Sequence, residues 1–193
     1  MGGPKALLSV ADDRPEGSPG GSGRTTFLAR GASLLARPGV ASVVAVLGAE
    51  AGRVAAEAGV PAGVRLVVNE RYLEGMLTSI ARGLDEAERE DAEAVLLHLV
   101  DHPLVAPATV DRVGEALERG ARIAVPTFGG RRGHPAGFAR DVWPELRAAS
   151  AARGARGVLA DHPERVVHVE GDPGCVAGID TPDDYRRLLG CGA

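Results

Sequence analysis

A chain of 193 residues, 45% apolar and 25% charged, has material for one hydrophobic core and too little for two ordinary domains. Its formal net charge of −4, with no long basic run, argues against a nucleic-acid or anionic-membrane surface, and no apolar stretch nears the roughly 20 residues that cross a bilayer. Two cysteines, Cys175 and Cys191, define no disulfide framework, and Met1–Lys5 has no apolar h-region, so a reducing cytoplasm is the expected compartment.

Aromatics are only 3%, so the core is expected to be aliphatic. Residues 12–23, DDRPEGSPGGSG, have little to bury and read as a flexible Gly/Pro-rich loop. They lack the Lys-Ser/Thr ending of a phosphate-cradling P-loop. The pattern then predicts a helix over 25–37, a strand over 42–48, a helix over 50–58 and a strand over 64–68. A helix over 75–89 carries Met76, Ile80, Leu84 and Ala87 on one face. The run at 94–100, AVLLHLV, is nearly all apolar, as in a parallel strand covered on both faces. A helix over 107–119 follows, with Pro107 suited to its first turn. IAVPTF, the tip GGRRG and HPAGFA read as an antiparallel hairpin. Helices over 141–148 and 153–160, a strand over 165–169 and a helix over 182–189 complete the chain. This alternation predicts a single α/β domain over 1–193, a doubly wound, mostly parallel, Rossmann-like sheet with one hairpin excursion. Ligands of such sheets bind beyond the carboxyl ends of the strands. No G-x-G-x-x-G follows a strand, which argues against a dinucleotide oxidoreductase.

Asp101 leaves the most apolar strand, in LVDHPLV, where a carboxylate can share a hard cation with phosphate oxygens. It would equally shape the turn before Pro103, and its spacing leaves both readings open. Asp180, in GIDTPDDY, has a better alternative. Thr181 or Asp180 caps the last helix, Pro182 takes its first turn, and Asp183 and Asp184 favour its dipole. Lys5, after Gly2, Gly3 and Pro4, either reaches triphosphate oxygens or stands solvated. Asn69 and Gly75 flank a strand-to-helix loop that either reads a base or phosphate or only turns the chain. Arg131, Arg132 and His134 at the hairpin tip grip an anion or stay in water. His98 and His102 are four apart, but a strand ends between them, so no helical HxxxH metal pair is expected.

These pieces occur in one order: MGGPKALL at 1–8, VVAVLG at 43–48, VNERYLEGMLTSIARGL at 68–84, VLLHLVDHPLV at 95–105, IAVPTFGGRRGHPAGF at 123–138, RGARGVL at 153–159 and GIDTPDDYRRLL at 178–189. In that order the chain resembles the MobA-like nucleotidyltransferases of the molybdenum cofactor, most closely the cytidylyltransferases that act on molybdopterin. The resemblance implies Mg²⁺ on Asp101 and Asp180, with Lys5 and Asp101 as the catalytic pair. It implies nucleotide contacts from Gly2, Gly3, Lys5, Asn69, Gly75 and Ser79, and acceptor contacts from Arg132, Gly133, His134 and Pro135. The implied substrates are a nucleoside triphosphate, CTP first, and a phosphorylated small molecule. No nucleic acid or membrane is implied, and the implied protein partner is a molybdoenzyme or its chaperone. Alternatives are a GTP-using or other-acceptor transferase, or a non-catalytic nucleotide-binding domain.

Two departures from the family pattern stand out. Ala152 occupies a usually acidic position beside the acceptor region. The family's opening strand and its Leu-Ala-Ala-Gly-x-Ser-x-Arg segment, which precede Met-Gly, have no counterpart. The resemblance implies that this strand lies between the counterparts of 43–47 and 94–100. The expectation is therefore a truncated nucleotide-binding segment, two rows of unpaired backbone groups, low stability and weak activity.

Overall fold

The computed structural model describes residues 3–11, 23–150 and 152–190. A 3₁₀ turn at Lys5–Leu7 leads into Ser9–Ala11 (β1), which pairs antiparallel with Arg24–Thr26 (β2). Most of the expected 12–23 loop lies outside the described residues. Thr26 ends β2 and caps Phe27–Leu35 (α1), its hydroxyl accepting from Ala29 N at 3.1 Å. The helix thus begins two residues later than its apolar pattern suggests, because Arg24–Thr26 are taken up by the hairpin. Neither three-residue strand is long enough to show an alternation in sequence.

Val44–Leu47 (β3), Ala51–Glu57 (α2) and Arg65–Val68 (β4) form a βαβ unit whose strands pair in parallel. Met76–Arg89 (α3) leads to Ala94–Leu97 (β5), and Pro107–Glu118 (α4) to Ile123–Phe128 (β6). The hairpin excursion is present: Arg131–Arg132 (β7) folds back on β6, and Ala136–Ala139 (β8) inserts antiparallel between β5 and β6. Trp143–Ala148 (α5), Gly154–Asp161 (α6), Val166–Glu170 (β9, parallel to β6) and Pro182–Leu189 (α7) complete the order. Only β8 runs against its neighbours in the body of this sheet, so the architecture is mixed α/β and mostly parallel.

β6 shows why the sheet holds. Ile123 and Val125 pack with Leu84, Phe138, Trp143 and Leu146 under α3, α5 and α6. Ala124 faces the other way, onto Val113 and Ala116 of α4. α4 lies so close to β8 that a Cβ on Gly137 would come 2.9 Å from Val113 Cγ1. Burial on both faces is what a continuous apolar run requires.

β3 pairs only with β4, and β5 only with β8, among the described residues. Their other edges face a cavity of about 2390 Å³ lined by both strands and by α1 and α3. No helix among the described residues is long and apolar enough to cross a membrane.

Candidate active site

Three distant parts of the chain meet beyond the carboxyl end of β5. The Ile179 amide donates to the Asp101 carbonyl at 2.8 Å, which sets Asp180 beside Asp101. Ile179 is anchored in a cluster with Val10 and Phe27, and Tyr185 of α7 stacks on Phe27 and donates to the Ser9 carbonyl at 2.6 Å. This packing carries the chain start to the same place. Lys5 Nζ lies 2.5 Å from Asp180 Oδ1 and 3.7 Å from Asp101 Oδ2. The Lys5 ammonium thus stands between the two carboxylates.

The structure separates the two readings of Asp180. The cap of α7 is Thr181, whose hydroxyl accepts from Asp184 N at 3.1 Å while the Asp184 carboxylate accepts from Thr181 N at 3.0 Å, a reciprocal capping box. The Asp180 side chain takes no part in it and points to Lys5. Asp101 also does more than shape a turn, since its carboxylate is 2.9 Å from His102 Nδ1. Burial raises the Asp101 carboxyl, but the His102 hydrogen bond and the charges of His102 and Lys5 outweigh it and hold the group below its ordinary value. It is a carboxylate at neutral pH.

His102 packs against His134, ring centroids 4.7 Å apart. That contact joins the Asp101 turn to the hairpin. The His134 amide donates to the Cys175 carbonyl at 2.9 Å, and a Cβ on Gly133 would lie 2.3 Å from that same oxygen, so only glycine fits there. Burial, helped by His102, pushes His134 down to about 4. Burial and the two neighbouring histidines push His98 down to about 3. Both imidazoles are neutral at pH 7.

On the opposite wall, Asn69 is buried behind Ser79. Its amide donates to Thr78 Oγ1 at 2.8 Å and Ser79 Oγ at 2.9 Å, and its oxygen accepts from Arg71 N at 3.0 Å. Asn69 therefore fixes the loop, while Ser79 and Met76 face the cavity. Gly75 precedes α3 with φ 114°, a conformation that favours glycine. Arg132, Gly133 and His134 line the hairpin side of the cavity, and Pro135 continues into β8. Gly3 is exposed, and Gly2 lies outside the described residues.

Two contributors were not singled out from the sequence. Arg156 of α6 lines the cavity, close enough to His134 to act on it electrostatically. Asp172 accepts from Thr109 Oγ1 at 2.6 Å, Gly174 N at 2.7 Å and Ala106 N at 3.0 Å, tying the approach to Asp180 onto α4. The turn-like GDPG spacing at 171–174 is its only sequence signal. Among the described residues no three His, Cys, Asp or Glu side chains converge as a metal cage. The carboxylates that converge here are Asp101 and Asp180, both on the Lys5 ammonium.

A MobA-like NTP transferase domain matches residues 1–166, so the chain belongs to the MobA-like NTP transferase family and is a nucleotidyltransferase. The crystal structure of Rv0371c from Mycobacterium tuberculosis H37Rv in complex with manganese is 31% identical, covers 98% of this chain and 93% of its own, and superposes with a TM-score of 0.71. The 2-C-methyl-D-erythritol 4-phosphate cytidylyltransferase of Thermus thermophilus shares the fold at 24% identity, 98% and 93% coverage and a TM-score of 0.68. The molybdopterin-guanine dinucleotide biosynthesis protein A of Archaeoglobus fulgidus does so at 16% identity, 86% and 84% coverage and a TM-score of 0.56. No curated protein matches the sequence.

Proposed function

We propose that the protein transfers a cytidylyl group from CTP to a phosphorylated acceptor of the molybdopterin type, releasing pyrophosphate, with Mg²⁺ held by Asp101 and Asp180. The observation that carries this reading is the meeting of Lys5, Asp101 and Asp180 at the carboxyl end of β5. The manganese in the Rv0371c structure supports a divalent ion in a related protein. Such an ion supplies charge neutralisation for the phosphates.

The residues divide the work. Lys5, displaced from Asp180, neutralises the pyrophosphate as the bond between the α-phosphorus and its bridging oxygen breaks. Arg132 and Arg156 hold the acceptor phosphate, whose oxygen forms the new bond to the α-phosphorus. Ser79 and the N–H groups opening α3 line the nucleotide side. His102 fixes one Asp101 oxygen and leaves the other toward Lys5. Catalysis of this kind rests on positioning and charge.

The test is pyrophosphate release from each of the four nucleoside triphosphates with Mg²⁺ or Mn²⁺, with and without molybdopterin. CTP turnover that depends on molybdopterin is expected. Higher turnover with GTP would reassign the base, and binding without turnover would leave a nucleotide-binding domain.

A further inference from the structure

We infer that Asp172 is a positioning residue, which holds the turn at 171–176 as the common support of the acceptor-side hairpin and of the Asp101–Asp180 pair. Calling the hairpin the acceptor side rests on the transferase reading.

The Asp172 carboxylate serves two elements at once. Its Oδ1 accepts from Ala106 N at 3.0 Å and from Thr109 Oγ1 at 2.6 Å, at the start of α4. Its Oδ2 accepts from Gly174 N at 2.7 Å, inside the 3₁₀ turn Pro173–Val176. Ala106 has no side chain able to cap α4, so the helix takes an anion from 66 residues further along the chain. Thr109 is fully buried, and its hydroxyl also accepts from Asp172 N at 3.1 Å, so the two residues are joined in both directions. Neither Asp172 nor Thr109 lines the cavity. Asp172 therefore acts on a substrate through what it holds.

Two consecutive carbonyls of this turn receive the hairpin. The Cys175 carbonyl accepts from His134 N at 2.9 Å, and the Val176 carbonyl accepts from Arg131 Nη2 at 3.2 Å. The chain then reaches Ile179, whose bond to the Asp101 carbonyl sets Asp180 in place. Upstream, Gly171 N donates to the Thr127 carbonyl of β6 at 2.9 Å. The turn has no slack. A Cβ on Gly174 would lie 2.0 Å from the carbonyl oxygen of Leu104, in the loop that follows Asp101, and one on Gly171 would lie 2.6 Å from Cys175 Sγ. On the other side Gly133 of the hairpin presses on the Cys175 carbonyl. The turn is thus wedged between the Asp101 loop and the hairpin, and a shift of it moves one against the other.

The chemistry of the side chain matters. A carboxylate meets all three donors with its two oxygens, whereas an amide keeps one acceptor oxygen and adds an NH₂. In Asp172→Asn the orientation that keeps most bonds turns the oxygen to Ala106 and Thr109 and the NH₂ to the Gly174 N–H. The α4 end stays bonded and the 3₁₀ turn is released. Asp180 keeps its own hold through the Ile179–Asp101 bond and the cluster of Ile179 with Val10 and Phe27. The released turn therefore displaces the hairpin more than the carboxylates. Transfer between two bound substrates is sensitive to such a shift, since a misplacement of about 1 Å costs about 10²-fold in rate.

The experiment compares the full chain with Asp172→Asn, Thr109→Val and Thr109→Ser, by residue-resolved hydrogen exchange and by kinetics with CTP, Mg²⁺ and molybdopterin. In Asp172→Asn the His134 amide is expected to exchange about tenfold faster, while the Ile179 amide stays near its parent rate. The kcat/KM for molybdopterin should fall by about 10²-fold, with the Kd for CTP and Mg²⁺ within about twofold of the parent. Thr109→Val, which frees Asp172 from α4, should act in the same direction, and Thr109→Ser, which keeps the hydroxyl, should restore both readouts. Thr109→Val also carries the test if Asp172→Asn does not fold. Three results overturn the proposal: an unchanged His134 amide, equal losses in nucleotide affinity and in molybdopterin kcat/KM, or a lower thermal midpoint with kcat/KM intact. A parent chain that turns over no triphosphate overturns the transferase reading instead, and the contrast between the His134 and Ile179 amides then decides alone whether Asp172 holds the hairpin.

Discussion

β5 and β6 are made of the same kind of residues and end up differently. AVLL at 94–97 and IAVP at 123–126 are both unbroken apolar runs. In β6 all four residues are buried; in β5 none is. β6 has β8 on one side and β9 on the other, whereas β5 has β8 and then the cavity. An apolar run states how much burial a strand can use, and the neighbours on its two edges decide how much it gets. The less buried strand is also the one that delivers Asp101 to the site.

The comparison can be tested first through chemistry. Asp101→Asn is nearly isosteric and should lower turnover by about 10²–10³-fold while leaving the urea midpoint nearly unchanged. Pyrophosphate release close to the parent rate would remove Asp101 from the machinery. Asp180→Ala should lower turnover as well, with stability within about 0.5 kcal/mol of the parent, because the helix cap is not its work.

Stability comes next. Ile123→Ala on β6 should cost about 2–5 kcal/mol, and Leu96→Ala on β5 clearly less, since Leu96 is only partly buried. Equal losses in urea unfolding would break the contrast between the strands.

Acid should act through the histidines that flank β5. His98 and His134 sit at about 3 and about 4 in the folded state, below their ordinary value. The unfolded chain therefore binds protons first as pH falls. The stability they hold is whole above the unfolded value of about 6.5, and between pH 7 and pH 5 each histidine should remove about 2 kcal/mol. His98→Phe should flatten the pH dependence of the urea midpoint; an unchanged slope would show that His98 is not held neutral.

The smallest effect is expected at the cap. Thr181→Ala should cost about 0.5–2 kcal/mol and reduce turnover far less than Asp180→Ala. Thermal midpoints and turnover on the two variants distinguish cap from site.

Most elements were legible because their signals are local. The apolar run of β6, Pro107 at the start of α4 and Thr181-Pro182 at the start of α7 each carry a start, a stop or a period within a few residues. The β1–β2 pair was not legible, since three-residue strands joined only by pairing across a loop leave no period to read. At the site, Asp101 and Asp180 could be named from strand ends and from the family resemblance, but their shared contact with Lys5 could not. Arg156, Asp172 and the His102–His134 contact had no distinctive local pattern, because each acts on residues far away in the chain.

The sequence by itself thus determined the order of strands and helices and the placing of carboxylates just past strand ends, because backbone preference and side-chain period act over a few residues. Only the tertiary structure decided that Lys5 stands between Asp101 and Asp180, and that β3 and β5 face each other across a cavity. Those facts depend on which edges pair and which faces pack, and such contacts join residues that the chain itself keeps up to 176 positions apart.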